Sequence, residues 1–198
     1  MPEKIDLYKL HKNEYVTPRK PALIHTKPAQ YLAIDGHGAP GGDRFVACIG
    51  GLYGVAFTVK MTRKFAGRQD YAVCKLECQY LQPNFCDLPR EKWQWRLMIR
   101  TPDFIAESDR EKAVAALLNK GKPPEVAEVK LVTLTEGDCV QMLHVGPYDR
   151  EGESLALMRE FAVSKGLSLG GLFHEIYLSD PRRVPAARLK TILRAPVS

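Results

Sequence analysis

One order of predicted elements occurs twice along the chain, and this repeat limits the possible folds more than any single motif. In the first half, residues 22–26 and 31–37 flank Lys27-Pro28 and predict a pair of strands. Gly36, Gly38, Pro40, Gly41 and Gly42 then force a sharp loop, and Asp43 stands where a helix N-cap belongs. Phe45, Ile49, Leu52, Tyr53, Ala56 and Phe57 recur at helical spacing up to about Lys64. Gly50, Gly51 and Gly54 weaken that helix and suggest a close neighbour. Residues 71–81 alternate as a strand, with Cys74, Leu76, Cys78 and Tyr80 on one face, and 93–100 supply another. The second half follows suit. Residues 129–135 and 139–145 predict a hairpin around Glu136-Gly137-Asp138, and a helix over 150–165 follows the Gly146-Pro147-Tyr148 turn. Strands at 172–179 and 188–194 complete it. The halves share little residue identity, but their common order predicts an α+β fold of two lobes, each a sheet with a helix on one face.

Punctuation residues set the expected boundaries within one domain spanning 1–198. Residues 1–20 are polar, are punctuated by Pro18 and Pro21, and form an N-terminal arm. The first module covers 21–105 and the second 127–198. Between them, 106–126 is a connector whose helix opens on the capping box Ser108-Asp109-Arg110-Glu111 and stops at Gly121-Lys122-Pro123-Pro124. No apolar run approaches the roughly 20 residues of a membrane span, and Met1-Pro2-Glu3-Lys4-Ile5-Asp6 lacks a secretory apolar core. The expectation is a cytoplasmic protein with no membrane partner. Five cysteines without a C-x-x-C pair and five scattered histidines point to reduced core thiols, with no metal and no cofactor. A net charge of +6 raises the question of nucleic acid. Arg182, Arg183, Arg188, Lys190 and Arg194 form no basic helix, however, and 20 residues are too few for a helix-turn-helix module. A solvated basic surface without direct nucleic-acid binding is expected. Oligomeric state is not legible.

Strand phase singles out two carboxylates. In 172–179, Leu172, His174, Ile176 and Leu178 form an apolar set that can cover the helix, which leaves Phe173, Glu175 and Tyr177 on the opposite face. In 71–81, Glu77 likewise points away from the helix-covering set. Each half thus offers one glutamate, and adjacent sheets would bring both to a shared cleft. Two glutamates on a wet sheet surface fit the same phase. Phe173 and Tyr177 beside Glu175 suit an organic or cationic ligand. A carboxylate between apolar walls and near a second one can exchange a proton close to neutral pH. Trp93 and Trp95 share a face with Leu97 and Ile99 and serve equally well as core or as ligand-stacking groups. His174 and Tyr53 are most simply core residues, and Tyr148 a loop anchor. Gly36-His37-Gly38 lacks the glycine spacing and lysine of a phosphate loop.

The stretch Leu172-Phe173-His174-Glu175-Ile176-Tyr177-Leu178-Ser179-Asp180-Pro181-Arg182-Arg183, followed by Leu189-Lys190-Thr191-Ile192-Leu193-Arg194, resembles the C-terminal signature of GyrI-like small-molecule-binding proteins. His144-Val145-Gly146-Pro147-Tyr148 is similar to that family's turn before its second helix, and Leu76-Glu77 with residues 93–104 resembles a stand-alone bacterial subgroup. The resemblance spans about residues 20–197. It implies tandem strand-helix-strand-strand modules with antiparallel sheets, pseudo-twofold symmetry and a central ligand cleft. It implies a small lipophilic ligand, planar or cationic, with Glu175 matching a cleft glutamate that meets lipophilic cations in multidrug-responsive activators. The stand-alone subgroup is similar to hydrolases that open the cyclopropane of cyclopropanoid DNA-alkylating toxins. Glu77, Glu175 and Tyr177 match its candidate catalytic groups, and Glu77, Trp93, Trp95, Phe173, Glu175 and Tyr177 its candidate ligand contacts. Here Cys78-Gln79-Tyr80-Leu81 replaces the glycine and aromatic run that usually follows Leu-Glu. The family's name-giving member binds DNA gyrase, which makes gyrase inhibition a further implied role.

Overall fold

Alternating residues predict a strand but not its partner, and partner choice decides this fold. The computed structural model describes residues 3–198, so Met1 and Pro2 of the expected arm lie outside the described residues. The chain runs through α1 (Leu7–Leu10), β1 (Ala22–His25), β2 (Ala29–His37), α2 (Asp43–Phe65), β3 (Leu76–Tyr80) and β4 (Gln94–Arg100). It continues through α3 (Glu107–Asn119), β5 (Lys130–Leu134), β6 (Asp138–Val145), α4 (Glu151–Ser164), β7 (His174–Tyr177) and β8 (Lys190–Pro196). The eight strands form one antiparallel sheet in the order β1-β6-β8-β7-β3-β4-β2-β5. Outward from the central β7–β3 pair, every strand of one module stands opposite its counterpart in the other, as a pseudo-twofold relation requires.

Neither expected local pairing forms. β1 pairs with β6, and β2 pairs with β5 and β4. His25 lies opposite Asp138, the Thr26 N–H donates to the Gly137 carbonyl at 2.9 Å, and Ala29 lies opposite Leu134, so one register runs straight through. Residues 22–37 and 130–145 are therefore two long kinked strands side by side, not two hairpins. Lys27-Pro28 and Glu136-Gly137 bend the chain without reversing it, and Gly137 takes the left-handed φ of 70° that a side chain would resist. Residues 26–28 reach roughly 10 Å, yet β1 and β2 stand six positions apart in the strand order, about 29 Å in a flat sheet. The sheet must curl. Its face away from the helices thereby becomes an interior.

The helices occupy the other face. α2 lies on β2 and β4 and against α3, while α4 lies on β6. Leu52 and Val55 of α2 share the main core with Leu32, Ile34, Leu97 and Ile99 of the sheet, each contributing about 1.5–3 kcal/mol by leaving water. A Cβ on Gly51 would stand 2.9 Å from the Glu125 Cβ, which explains that glycine as a close helix–chain approach. With 23 residues, α2 is long and apolar enough to cross a membrane, contrary to the expectation that no run comes near this; here its buried side packs on the sheet.

Several boundaries move. The α2 cap is Gly42, with Asp43 the first helical residue. Ala106 rather than Ser108 precedes α3, its N–H donating to the Asp109 carboxylate at 3.1 Å. The strand expected over 71–81 contracts to β3, because Tyr71 instead bridges Ile5 of the N-terminal segment.

The phase of β7 is opposite to that expected. Cys78 lies opposite Glu175 and Glu77 opposite Ile176, and directly paired residues share a face. Cys78, Tyr80, Phe173 and Tyr177 all belong to the core under the helices. Glu175 thus faces the helices, whereas His174 and Ile176 face the interior with Glu77. Both alternating sets of this strand contain apolar or aromatic residues, so alternation could not tell the faces apart.

Candidate functional site

Because α2 and α4 rest on β2, β4 and β6, the middle strands β3 and β7 form a floor between them. Glu175 rises from that floor, only 4% exposed. The Tyr177 hydroxyl donates to its Oε2 at 2.6 Å, and the Tyr80 hydroxyl reaches the same oxygen at 3.3 Å. Glu151, the first residue of α4, is also buried and presents its carboxyl to Glu175. Burial raises both carboxyl pKa values. For Glu151 the adjacent Glu175 charge adds to this, while hydrogen bonds from Tyr177, Glu151 and Tyr80 partly offset it at Glu175. Two carboxyls this close in a dry site share a proton, which belongs to the pair. Burial and the carboxylate keep Tyr80 and Tyr177 well above the usual phenol range, so both remain donors.

Aromatic rings wall the pair. Phe85, from the turn after β3, lies flat on Tyr80, with centroids 4.0 Å apart and planes 1° apart. Trp93 meets both edge-on, at 5.2 Å from Tyr80 and 4.8 Å from Phe85, and Phe173 stacks on Phe85 at 5.8 Å. Trp93 donates its N–H to the Leu88 carbonyl at 2.9 Å, which fixes its tilt. Tyr148 stands edge-on to Tyr177 at 5.8 Å and is 38% exposed, on the solvent side of the cluster. Trp95 is not with them. It is fully buried against Gly36 and Phe45 and donates to the Gly38 carbonyl at 3.0 Å, a core role.

Glu77 is equally remote, and the expected convergence of the two glutamates does not occur. Its side chain is fully buried in the curled interior, with Oε1 accepting from the Tyr15 hydroxyl at 3.3 Å and Oε2 lying 3.0 Å from His174 Nε2. The sheet itself separates it from Glu175. The structure thus brings Glu175, Tyr177, Phe173 and Trp93 together and leaves Glu77 and Trp95 apart. Glu151, Tyr80 and Phe85 complete the cluster, and sequence reading missed all three. A glutamate in the first turn of a helix is the ordinary complement of the helix dipole, so Glu151 carried no distinguishing signal. The one available hint was Tyr148 just before it, in the Gly146-Pro147-Tyr148 turn.

The sequence model of the GyrI-like small molecule binding domain matches residues 100–198. Among solved structures, an uncharacterized conserved protein from Listeria innocua is 38% identical with a TM-score of 0.92, covering 98% of this chain and 100% of that one. A hydrolase from Listeria innocua is 36% identical with a TM-score of 0.89, over 98% and 100% of the two chains. A second structure of a Listeria innocua hydrolase, also 36% identical, has a TM-score of 0.91 over 99% and 100%. No curated protein matches the chain. A signature covering the second module, joined to full-length relatives above one-third identity, means that the chain belongs to the GyrI-like family of small-molecule-binding domains.

Proposed function

We propose that this protein is a hydrolase for a lipophilic, planar organic molecule bearing a strained electrophilic ring, the class that includes cyclopropanoid DNA-alkylating toxins, and that it serves detoxification in the cytoplasm. The observation that carries the reading is the buried Glu175–Glu151 pair, set beside Tyr177 and an aromatic wall. Full-length similarity to hydrolases from Listeria innocua supports hydrolysis over capture alone. Glu175 takes a proton from water while the water oxygen bonds to a ring carbon. The strained carbon–carbon bond breaks, and its electron pair passes into the conjugated carbonyl of the substrate. That oxygen is then protonated, with Glu151 the nearest acid, so one water has been added across the ring. Tyr177 and Tyr80 hold the carboxylate in line. Because the ring is strained, positioning and proton transfer supply enough acceleration. Glu77 and Trp95 take no direct part, whereas Trp93 and Phe173 contact the ligand.

Incubation with a cyclopropanoid alkylator, followed by mass spectrometry, tests this. Wild type is expected to yield ring-opened product, Glu175→Gln to lose about 100-fold in rate or more, and Glu151→Gln about 10-fold or more. Stoichiometric binding by wild type without product would remove the hydrolase reading. A second reading, capture of a lipophilic cation, is favoured by the same shared proton: a bound cation would let both carboxyls ionise. Titration calorimetry in buffers of different ionisation enthalpy would then register about one proton released per ligand.

A further inference from the structure

His174 is fully buried and unused by the chemistry above. It sits next to Glu175 on β7, with its ring on the interior side of the sheet. Its Nδ1 lies 3.0 Å from Glu136 Oε1, in the link between β5 and β6, and its Nε2 lies 3.0 Å from Glu77 Oε2 on β3. Only the Nδ1 contact is a hydrogen bond; Nε2 and Glu77 Oε2 approach as charges, outside hydrogen-bond geometry. Two carboxylates at 3.0 Å on either side of the ring favour its protonated form. The charges behind it are also paired: Arg194 Nη1 from β8 is 3.0 Å from Glu136 Oε2, and Arg100 from β4 donates to Glu14 at 2.8 Å and to Tyr15 at 3.2 Å. On the helix side, Glu175 faces Tyr80 and Cys78 of β3, Tyr177 of its own strand and Glu151 of α4, with Arg90 acting on Glu151.

We infer that His174 is a positioning residue for the carboxyl pair: clamped as a cation by Glu77 and Glu136, it fixes the middle of β7 and, acting through the strand, favours ionisation of Glu175 over Glu151. This rests on the reading of Glu175 and Glu151 as the reactive pair. Neighbouring residues of a buried strand lie in a low-dielectric surrounding, so a unit charge on one side is felt strongly on the other. Burial pushes His174 down, but Glu136 and Glu77 reverse this and hold its pKa at about 9, and the His174 charge lowers that of Glu175. Glu77, the glutamate that the strand pattern singled out, thereby acts on the site indirectly, as the counterion of the histidine.

The test is carboxyl 13C NMR titration of the full-length, ligand-free protein with labelled glutamate. His174→Gln is expected to raise the first ionisation midpoint of the pair by about one pH unit. Glu77→Gln removes an anion and keeps the cation, so it is expected to lower that midpoint by about half a unit. A purely structural role would move neither in this sense. If His174→Gln does not fold, Glu77→Gln and Glu136→Gln carry the test, both with downward shifts. Midpoints equal to wild type, or shifts of the wrong sign, in folded variants overturn the inference. The readout needs no substrate, so absence of ring-opened product with these shifts intact would sink only the hydrolase reading.

Discussion

A histidine held between two carboxylates makes stability depend on pH in a definite direction. In the unfolded chain its pKa is about 6.5, and in the fold it is about 9. A raised value means the folded state binds the proton more tightly, so the stabilisation is fully present below pH ~6.5 and is lost as pH rises through ~9. The shift corresponds to about 3 kcal/mol. Glu151 acts in the same sense, because a carboxyl whose folded pKa is raised also loses stability as pH increases. Urea denaturation midpoints are therefore expected to fall between about pH 6 and about pH 10 in wild type, and to fall less in His174→Gln. A fall in His174→Gln as steep as in wild type would mean that the interior imidazole is uncharged. The acid limit belongs to Glu136, which burial would raise but which His174 and Arg194 hold at about 2.

Among the elements, the N-terminal segment expected as an arm packs against the rest of the fold over its described residues. Asp6 caps α1 by accepting from the Tyr8 N–H at 3.0 Å, and Tyr8 stacks on Tyr15 at 4.1 Å. The following residues close the curled interior. Arg194 donates to the Glu14 carbonyl at 2.6 Å, Gln141 to the Val16 carbonyl at 2.7 Å, and the Leu143 N–H to the Pro18 carbonyl at 2.7 Å. The Glu14–Arg100 pair is buried on both sides, at 8% and 5% side-chain exposure. Removing one member strands a buried charge, while removing both does not. Glu14→Ala is expected to cost about 3–5 kcal/mol in urea denaturation, and the double change Glu14→Met with Arg100→Met distinctly less. Equal costs would show that shape, not charge pairing, holds the segment down.

For the whole molecule, the two kinked strands matter most. Each module's half of the sheet ends on a strand supplied by the other module, β1 beside β6 and β5 beside β2. The divisions at 105 and 126 therefore do not separate two folding units. Fragments 1–105 and 106–198, expressed apart, are expected to lack native circular dichroism and to regain it when mixed; independent cooperative unfolding of either one would contradict the exchange. The sequence alone determined the elements, their repeated order, and the presence of Glu175, Phe173 and Tyr177 on one strand face, because helical and strand periodicity and turn residues act over a few positions. Only the tertiary structure decided which strands pair, which face the helices cover, and that Glu151 rather than Glu77 is the partner of Glu175. Those choices depend on the curl of the sheet, and the curl arises from contacts about a hundred residues apart, such as His25 with Asp138, that no local pattern encodes.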